Sequence, residues 1–221
     1  HTVDLKNPIT AESFKTVSKI QQGATRVHVI DMIPRQIINN HIIEVMQVKD
    51  GEIQMNVEKD LLKLAVVERY GKNGNVGVAF VHGFKLKKGA LAYSMSHDHH
   101  NIVVVGTNNA DMALAVNEVA RLNGGLAVAC DGNILNGMEL PIGGLMSEKS
   151  SEEVMAQLDV LNADARKLGC EMDAPFMSLS FISLPTVPEL GLTDLGLVDV
   201  LAHKLIPLEL EEEYNTLNEQ I

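Results

Sequence analysis

The spacing of apolar and polar residues predicts strands along most of this chain, with a few well-marked helices between them. Val27, Val29 and Ile30 belong to an apolar run that Pro34 ends. Residues 42–48 alternate in part, Asp50-Gly51 is a turn dipeptide, and Ile53, Met55 and Val57 alternate strictly, so a hairpin is expected there. Residues 61–70 and 76–84 are β-rich runs either side of the turn cluster Gly71-Lys72-Asn73-Gly74-Asn75, which predicts a second antiparallel hairpin. Residues 91–95 read as a further strand. Residues 101–106 read as a buried one, because the segment is apolar on both faces.

Two helices carry their own start signals. Asn108 is placed to cap the first, with Asp111 in its first turn, Met112, Val116, Val119 and Leu122 at helical spacing, and Gly124-Gly125 as the stop. A short strand at 126–130, turned by Asp131-Gly132, follows it. The order strand, helix, strand implies a βαβ crossover if the two strands are parallel. Ser150 and Glu153 match a capping box for the second helix, which runs through Val154, Leu158, Leu161, Ala165 and Leu168 to Gly169. Beyond it, Pro175, Pro185 and Pro188 mark a loop-rich region, and Phe176 to Phe181 alternates apolar and small polar residues as a half-buried strand does. The expected fold is α+β: a mixed β-sheet with hairpins and at least one βαβ crossover, two or more helices packed on it, and no (β/α)8 barrel. Residues 1–25 read as an irregular lead-in with one short helix around residues 12–21, residues 26–205 as the domain, and residues 206–221 as an acidic tail or helix.

Composition narrows the function classes. The chain has 221 residues, 46% of them hydrophobic, enough for one real core, built without Trp from aliphatic residues and ten Met. A net charge of −11 repels phosphate backbones, so nucleic acid is not an expected partner. The one dense acidic run, Glu209 with Glu211, Glu212 and Glu213, reads as a solvated face or tail. Cys130 and Cys170 form no CxxC and read as buried small hydrophobes in a reducing cytoplasm. No apolar run reaches membrane-span length and no signal peptide opens the chain; its first residue is His1, so it reads as a piece of a longer protein.

The densest chemistry is Ser96-His97-Asp98-His99-His100-Asn101, in the loop between two expected strands. Imidazole shuttles protons near neutral pH and a carboxylate can orient it. In an extended stretch His97 and His99 would share a side, as metal-binding HxH pairs do, but two ligands are not a site and no second ligand cluster accompanies them. A ligand-binding loop, a metal loop and a solvated polar loop all remain open on these residues. Gly106-Thr107-Asn108-Asn109 lacks a GxGxxG or Walker lysine and reads as an ordinary βα turn. The loop holding Gly143 and Gly144 could approach a planar ligand or simply pack tightly on the core. Asp194 and Asp199 are too loosely placed for an acid/base dyad, and there is no GxSxG or Cys/His nucleophile pattern.

A resemblance carries the reading further. Residues 60–69, 83–90 running into 96–102, Leu140-Pro141-Ile142-Gly143-Gly144-Leu145-Met146-Ser147, Pro175 to Phe181, and the segments at Pro188 and Leu192 resemble, in one order from about residue 20 to about residue 200, stretches of the bacterial adenine deaminases. These are members of the amidohydrolase superfamily. The resemblance implies that the chain is the part after a metal-bearing barrel, in an enzyme that hydrolyses adenine to hypoxanthine and ammonia with a metal-bound hydroxide. It implies manganese or iron held by that barrel, with none expected in this chain alone. The implied partners are adenine, the upstream barrel and other copies of the subunit, with no nucleic acid and no membrane. His97, Asp98 and His100 are the implied catalytic candidates, as a lid loop. Ser96, Asn101, Gly143 and Gly144 are the substrate-binding candidates. At His99 the sequence departs from the family pattern, which carries a small residue there, so His99 takes no shared role. Glu68 and Arg69 read as a structural pair. Two other readings stand beside the lid: a non-catalytic stability or dimerisation module, and an independent metal- or purine-binding protein.

Overall fold

The strand Leu62–Val67 is buried at every one of its positions, and the architecture follows from how that strand is covered on both faces. The computed structural model describes residues 3–210. In chain order the strands are β1 (Gln22–Met32), β2 (Asn39–Lys49), β3 (Glu52–Ile53), β4 (Leu62–Val67), β5 (Val76–His82), β6 (Ala90–Tyr93), β7 (Ile102–Gly106), β8 (Gly125–Cys130), β9 (Asn133–Glu139), β10 (Leu190–Thr193), β11 (Gly196–Asp199) and β12 (Lys204–Ile206). The helices are α1 (Asn109–Arg121), α2 (Ser151–Lys167) and α3 (Pro175–Ile182).

The first nine strands form one open mixed sheet in the order β3-β2-β1-β5-β4-β7-β6-β8-β9, and the last three form a small antiparallel sheet. This is the expected α+β class. Within the large sheet β1 and β5 are parallel and the other neighbours antiparallel. Because Leu91 of β6 pairs antiparallel with Val105 of β7 and with Val128 of β8, those two strands point the same way. The segment β7-α1-β8 is therefore the crossover expected from sequence, spread over an intervening strand.

The two faces follow the period-2 alternation of the strands. Leu62, Leu64, Val66, Val103 and Val105 pack with Leu161 of α2 and Leu179 of α3, and with Leu190 and Leu192 of the small sheet. On the opposite face Ala65, Val67, Ile102 and Val104 pack with Met112, Val116 and Val119 of α1. A third cluster, around Val29, Met46 and Phe80, covers the β1–β2 end. Lys63 sits inside β4 only 2% exposed, with its ammonium held by the Phe14 carbonyl at 2.9 Å, Glu52 at 2.7 Å and Asn109 at 3.1 Å. All three N–H donors are thereby used, which is what burial of a lysine requires.

Both helix starts read from sequence are present. Asn108 Oδ1 accepts from the Asp111 amide at 2.7 Å, and Ser150 with Glu153 closes a full capping box. The β4–β5 hairpin is also as expected, and both cysteines are buried.

Other expectations are corrected. The hairpin expected across Asp50-Gly51 is present, β2 pairing antiparallel with β3, but the alternating stretch yields only the two residues of β3, and β2 pairs along its whole length with the preceding β1. Asn56 caps a short 3-10 turn at Val57–Lys59 and Asp60 adopts a left-handed conformation, which ends the strand. The lead-in helix shrinks to a 3-10 turn at Ala11–Phe14, because residues 16–18 instead bond the backbone of Gly51 and Ile53. Residues 176–181 form helix α3 rather than a strand. Pro175 occupies its first turn, and Phe176, Leu179 and Ile182 bury at helical spacing. Their intervening serines alternate in polarity without alternating in exposure. The strands β10 to β12 lie where only loop and short apolar segments were expected. Glu209 is buried rather than solvated, its carboxylate accepting from Ser18 Oγ at 2.8 Å and the Lys19 amide at 2.9 Å; Glu211, Glu212 and Glu213 lie outside the described residues. Among the described residues no helix is long and apolar enough to cross a membrane.

Candidate functional site

The histidine loop, residues 94–101, joins β6 to β7 and is braced from inside by small polar residues. Ser94 is fully buried; its hydroxyl lies 2.6 Å from the Gly144 carbonyl and accepts from the Gly125 amide at 2.8 Å. Ser96, also fully buried, shares a hydrogen bond with Ser183 Oγ at 2.9 Å and touches the His99 ring at 3.2 Å. The His97 amide donates to the Ser180 carbonyl of α3 at 2.9 Å, and the His100 amide to the Ser96 carbonyl at 2.7 Å. Asn101, 3% exposed, spans from the Arg69 amide to Asp194 Oδ1 at 3.3 Å.

The loop is a tight turn and not an extended stretch, so His97 and His99 diverge. The His97 ring packs against Phe181 at 4.7 Å and faces His100 at 6.3 Å. His99 turns inward, accepting from the Asn101 amide at 3.2 Å. Burial pushes the His99 pKa below the ordinary value, and hydrogen bonding to the Ser183 backbone only partly opposes it. It is a neutral structural imidazole. His100 is also shifted down, by burial first and then by the nearby Arg69 guanidinium. Asp98 points into solvent with its side chain 87% exposed, 3.8 Å from His97 Nδ1 and too far for a hydrogen bond. His97, Asp98 and His100 are thus the groups the loop presents outward, while Ser96 and Asn101 hold its shape.

Glu68 and Arg69, just past the end of β4, bond to different parts of the chain. Glu68 accepts from the backbone amides of Tyr70, Lys72, Asn73 and Gly74, closing the 70–75 turn. Arg69, 1% exposed, donates from Nε to the His100 carbonyl and from Nη2 to the Gly143 carbonyl at 3.0 Å. One buried guanidinium therefore ties the histidine loop to the glycine loop. Gly143 and Gly144 both lie at positive φ, and a Cβ on Gly144 would run into that guanidinium. The missing side chain at Gly144 is used by Arg69, which favours the tight-packing reading of this loop. The sequence signal for Arg69 was a charge at the end of an otherwise apolar strand. Ser183 gave none, and Asp194 was weighed only as a dyad partner of Asp199, because only the fold brings them to residues 96 and 101.

Beside the loop lies a cavity of about 480 Å³, with His97 and Met95 on its rim and walls from β6, α2, α3 and the 140–149 loop. Among the described residues no three His, Cys, Asp or Glu side chains converge to hold a metal ion. The implied manganese or iron does not fit this loop: His99 is committed inward, and His97 and His100 diverge from it.

The comparisons agree with one another. The family model for the adenine deaminase C-terminal domain matches residues 36–204. The chain is similar to an adenine deaminase of Desulforamulus reducens, 57% identical over 212 residues, covering 96% of this chain and 36% of that protein. A Dehalococcoides mccartyi adenine deaminase is 49% identical over 206 residues, 93% of this chain and 36% of its own length. One from Moorella thermoacetica is 43% identical over 208 residues, 94% and 35%. The chain spans about a third of the length of these curated relatives.

Proposed function

Since the chain belongs to the adenine deaminase C-terminal domain family, we propose that it is the accessory domain of a longer enzyme hydrolysing adenine to hypoxanthine and ammonia, and that residues 94–101 form a lid over the reacting purine. The observation that carries this reading is the division of labour in the loop. Its small polar residues are spent internally, and His97, Asp98 and His100 face outward on a frame that Arg69, Ser183 and Asp194 make rigid. Pre-organised groups of this kind are what a reaction centre uses. The lead-in segment supports it as well. The Asp4 amide donates to the Arg69 carbonyl at 2.8 Å, beside Tyr70, whose hydroxyl donates to the His99 carbonyl at 2.9 Å. The N-terminal side of the chain therefore passes next to the loop.

Deamination at C6 replaces an amino group by oxygen from water, so a proton must reach the departing nitrogen. His100, neutral near pH 7 because its pKa is depressed, can take up and return a proton. Asp98 can accept an N–H from the purine edge, and His97 on its Phe181 shelf can exclude water from one side. Ser96, Asn101, Gly143 and Gly144 serve substrate through the loops they shape. We assign the divalent metal, manganese or iron, to the upstream barrel of the same or a neighbouring subunit; it supplies the activated water there, and the steps given to this domain do not pass through it. The expected test outcome is that His97→Ala and His100→Ala in the full-length enzyme each lower turnover with an unchanged melting temperature. Unchanged kinetics in both would remove the lid. Adenine conversion by this chain alone, with added manganese or iron, would place the chemistry here instead of upstream.

A second reading rests on the exposed apolar residues Ile37, Met146 and Met177, which are 51%, 59% and 61% exposed. Such side chains suit a purely associative module. A robust ligand-independent dimer, with both histidine variants fully active, would favour it.

A further inference from the structure

Helix α3 has a cavity on each side of it. One is the cavity of about 480 Å³ beside the histidine loop. The other, of about 540 Å³, lies between α3, the loop at residues 32–37 and the segment around Met172. Ala174, Met177 and Phe181, one helical face, line both, so the two cavities are halves of one trough across the helix. Its centre is apolar. Met177 stands there 61% exposed, with Leu145 and Met146 towards one end and Ile37 towards the other. Polar groups lie around that centre and bond to their own neighbours. The Ser180 hydroxyl donates to the Met177 carbonyl at 2.8 Å, Ser147 Oγ accepts from the Lys149 amide at 3.1 Å, and the Lys149 ammonium is 3.7 Å from Glu139. At the other end Arg35 pairs with Asp173 at 2.9 Å and Lys85 with Glu171 at 2.6 Å. An apolar, methionine-bearing centre inside a polar rim is the make-up of a protein interface. Exposed apolar side chains grouped in this way mark a surface that something covers.

The path of the chain says what covers it. The Val3 amide donates to Asn123 Oδ1 at 3.2 Å, and the neighbouring Gly124 packs so closely on the Gly144 backbone that a Cβ would not fit. The chain thus enters the described fold against the 140–147 loop, whose Leu145 and Met146 form one end of the trough. The trough also adjoins the histidine loop, since the His97 ring rests on Phe181. Most of the relatives' length lies outside the part matched here, and the matched part is C-terminal. We propose that the trough across α3 is the seat of the upstream domain of the same chain, which lays an apolar ridge over Met177 and so fixes the 94–101 loop against it. That the upstream domain holds the reaction centre rests on the function proposed above; the trough and the entry of the chain beside it do not.

The test is photo-crosslinking of the full-length protein with methionine replaced by its diazirine analogue, which is nearly the same size, followed by peptide mass spectrometry. The expected result is adducts from positions 177 and 146 to upstream peptides of the same chain. Adducts that join light to heavy chains, in protein assembled from a mixture of the two, give the trough to another copy and overturn the proposal. Adducts confined to solvent and to the domain itself overturn it too. Met177→Asp places a charge at the centre of the trough and should cut the upstream adducts from position 146 about tenfold; an unchanged yield counts against the seat. Met177→Cys covers the case in which the diazirine protein does not fold. Its maleimide labelling in the native full-length protein should be about tenfold slower than in urea, because a covered thiol reacts only on opening, and equal rates overturn the proposal. The seat and the lid fail separately. Turnover lost in His100→Ala with only solvent adducts at position 177 keeps the lid and removes the seat; upstream adducts with normal turnover in His97→Ala and His100→Ala do the reverse.

Discussion

The guanidinium of Arg69 donates to the backbone carbonyl of His100 while its other arm holds the carbonyl of Gly143, so one buried side chain sets the spacing of two loops that lie 43 residues apart, from residue 100 to residue 143. A planar fork with fixed donor directions can do this, and an ammonium cannot reproduce it. Arg69→Lys is expected to lower stability by about 1.5–3 kcal/mol, the usual scale for hydrogen bonds from a charged donor. Chemical denaturation would check it; full stability in the lysine variant would mean that the fork geometry is not used.

The two glycines of the second loop should respond differently. A Cβ residue in a left-handed conformation costs roughly 1–2 kcal/mol, and both glycines adopt one. On Gly143 the added Cβ finds nothing closer than Leu145 at 4.0 Å, whereas on Gly144 it meets the Arg69 guanidinium. Gly144→Ala should therefore exceed Gly143→Ala by a further 1–3 kcal/mol or so, the range for overpacking. Equal melting temperatures would contradict that contact.

Glu68 gives a pH prediction. Burial pushes its carboxyl pKa up, but four backbone amides together outweigh burial and hold it below the ordinary value of 4.5. A depressed folded pKa contributes stability that is complete above the unfolded value and lost as pH falls through the folded one. Glu68→Gln should be less stable at pH 7 by about 1.5–3 kcal/mol, with the gap narrowing below pH 4.5. Denaturation curves at pH 7 and pH 3.5 would show whether the gap closes.

For His99 and His100 the folded pKa is lowered from 6.5. Neutral imidazoles therefore contribute stability above that value, and it is lost as pH falls through the folded pKa. Ring-proton NMR should give both titration midpoints under 6.5. If His100 relays a proton, the acid limb of kcat/KM in the full-length enzyme should also lie under 6.5 and change in His100→Ala. A midpoint above 6.5 would contradict the burial seen here.

What the sequence determined by itself was local. The caps at Asn108 and Ser150 bond amides three residues on, so their helices are legible from neighbours alone. The β4–β5 hairpin is closed by a five-residue turn cluster, and the unbroken apolar runs of β4, β7 and β8 announce a sheet covered on both faces. The residues of the histidine loop could be picked out for the same reason: they are contiguous. What only the tertiary structure decided was direction and partnership. Whether residues 176–181 form a strand or a helix depended on Pro175 and on a core that takes Phe176, Leu179 and Ile182 on one side. Glu209 became a buried acceptor because the chain end returns to Ser18, 191 residues away. Which histidine faces inward was set by Ser183 and Asp194, which no spacing rule connects to residues 96–101. Short-range hydrogen bonds and periodicity are written in neighbouring residues; contacts across a hundred residues are fixed only when burial forces each polar group to find whatever partner the packing has brought to it.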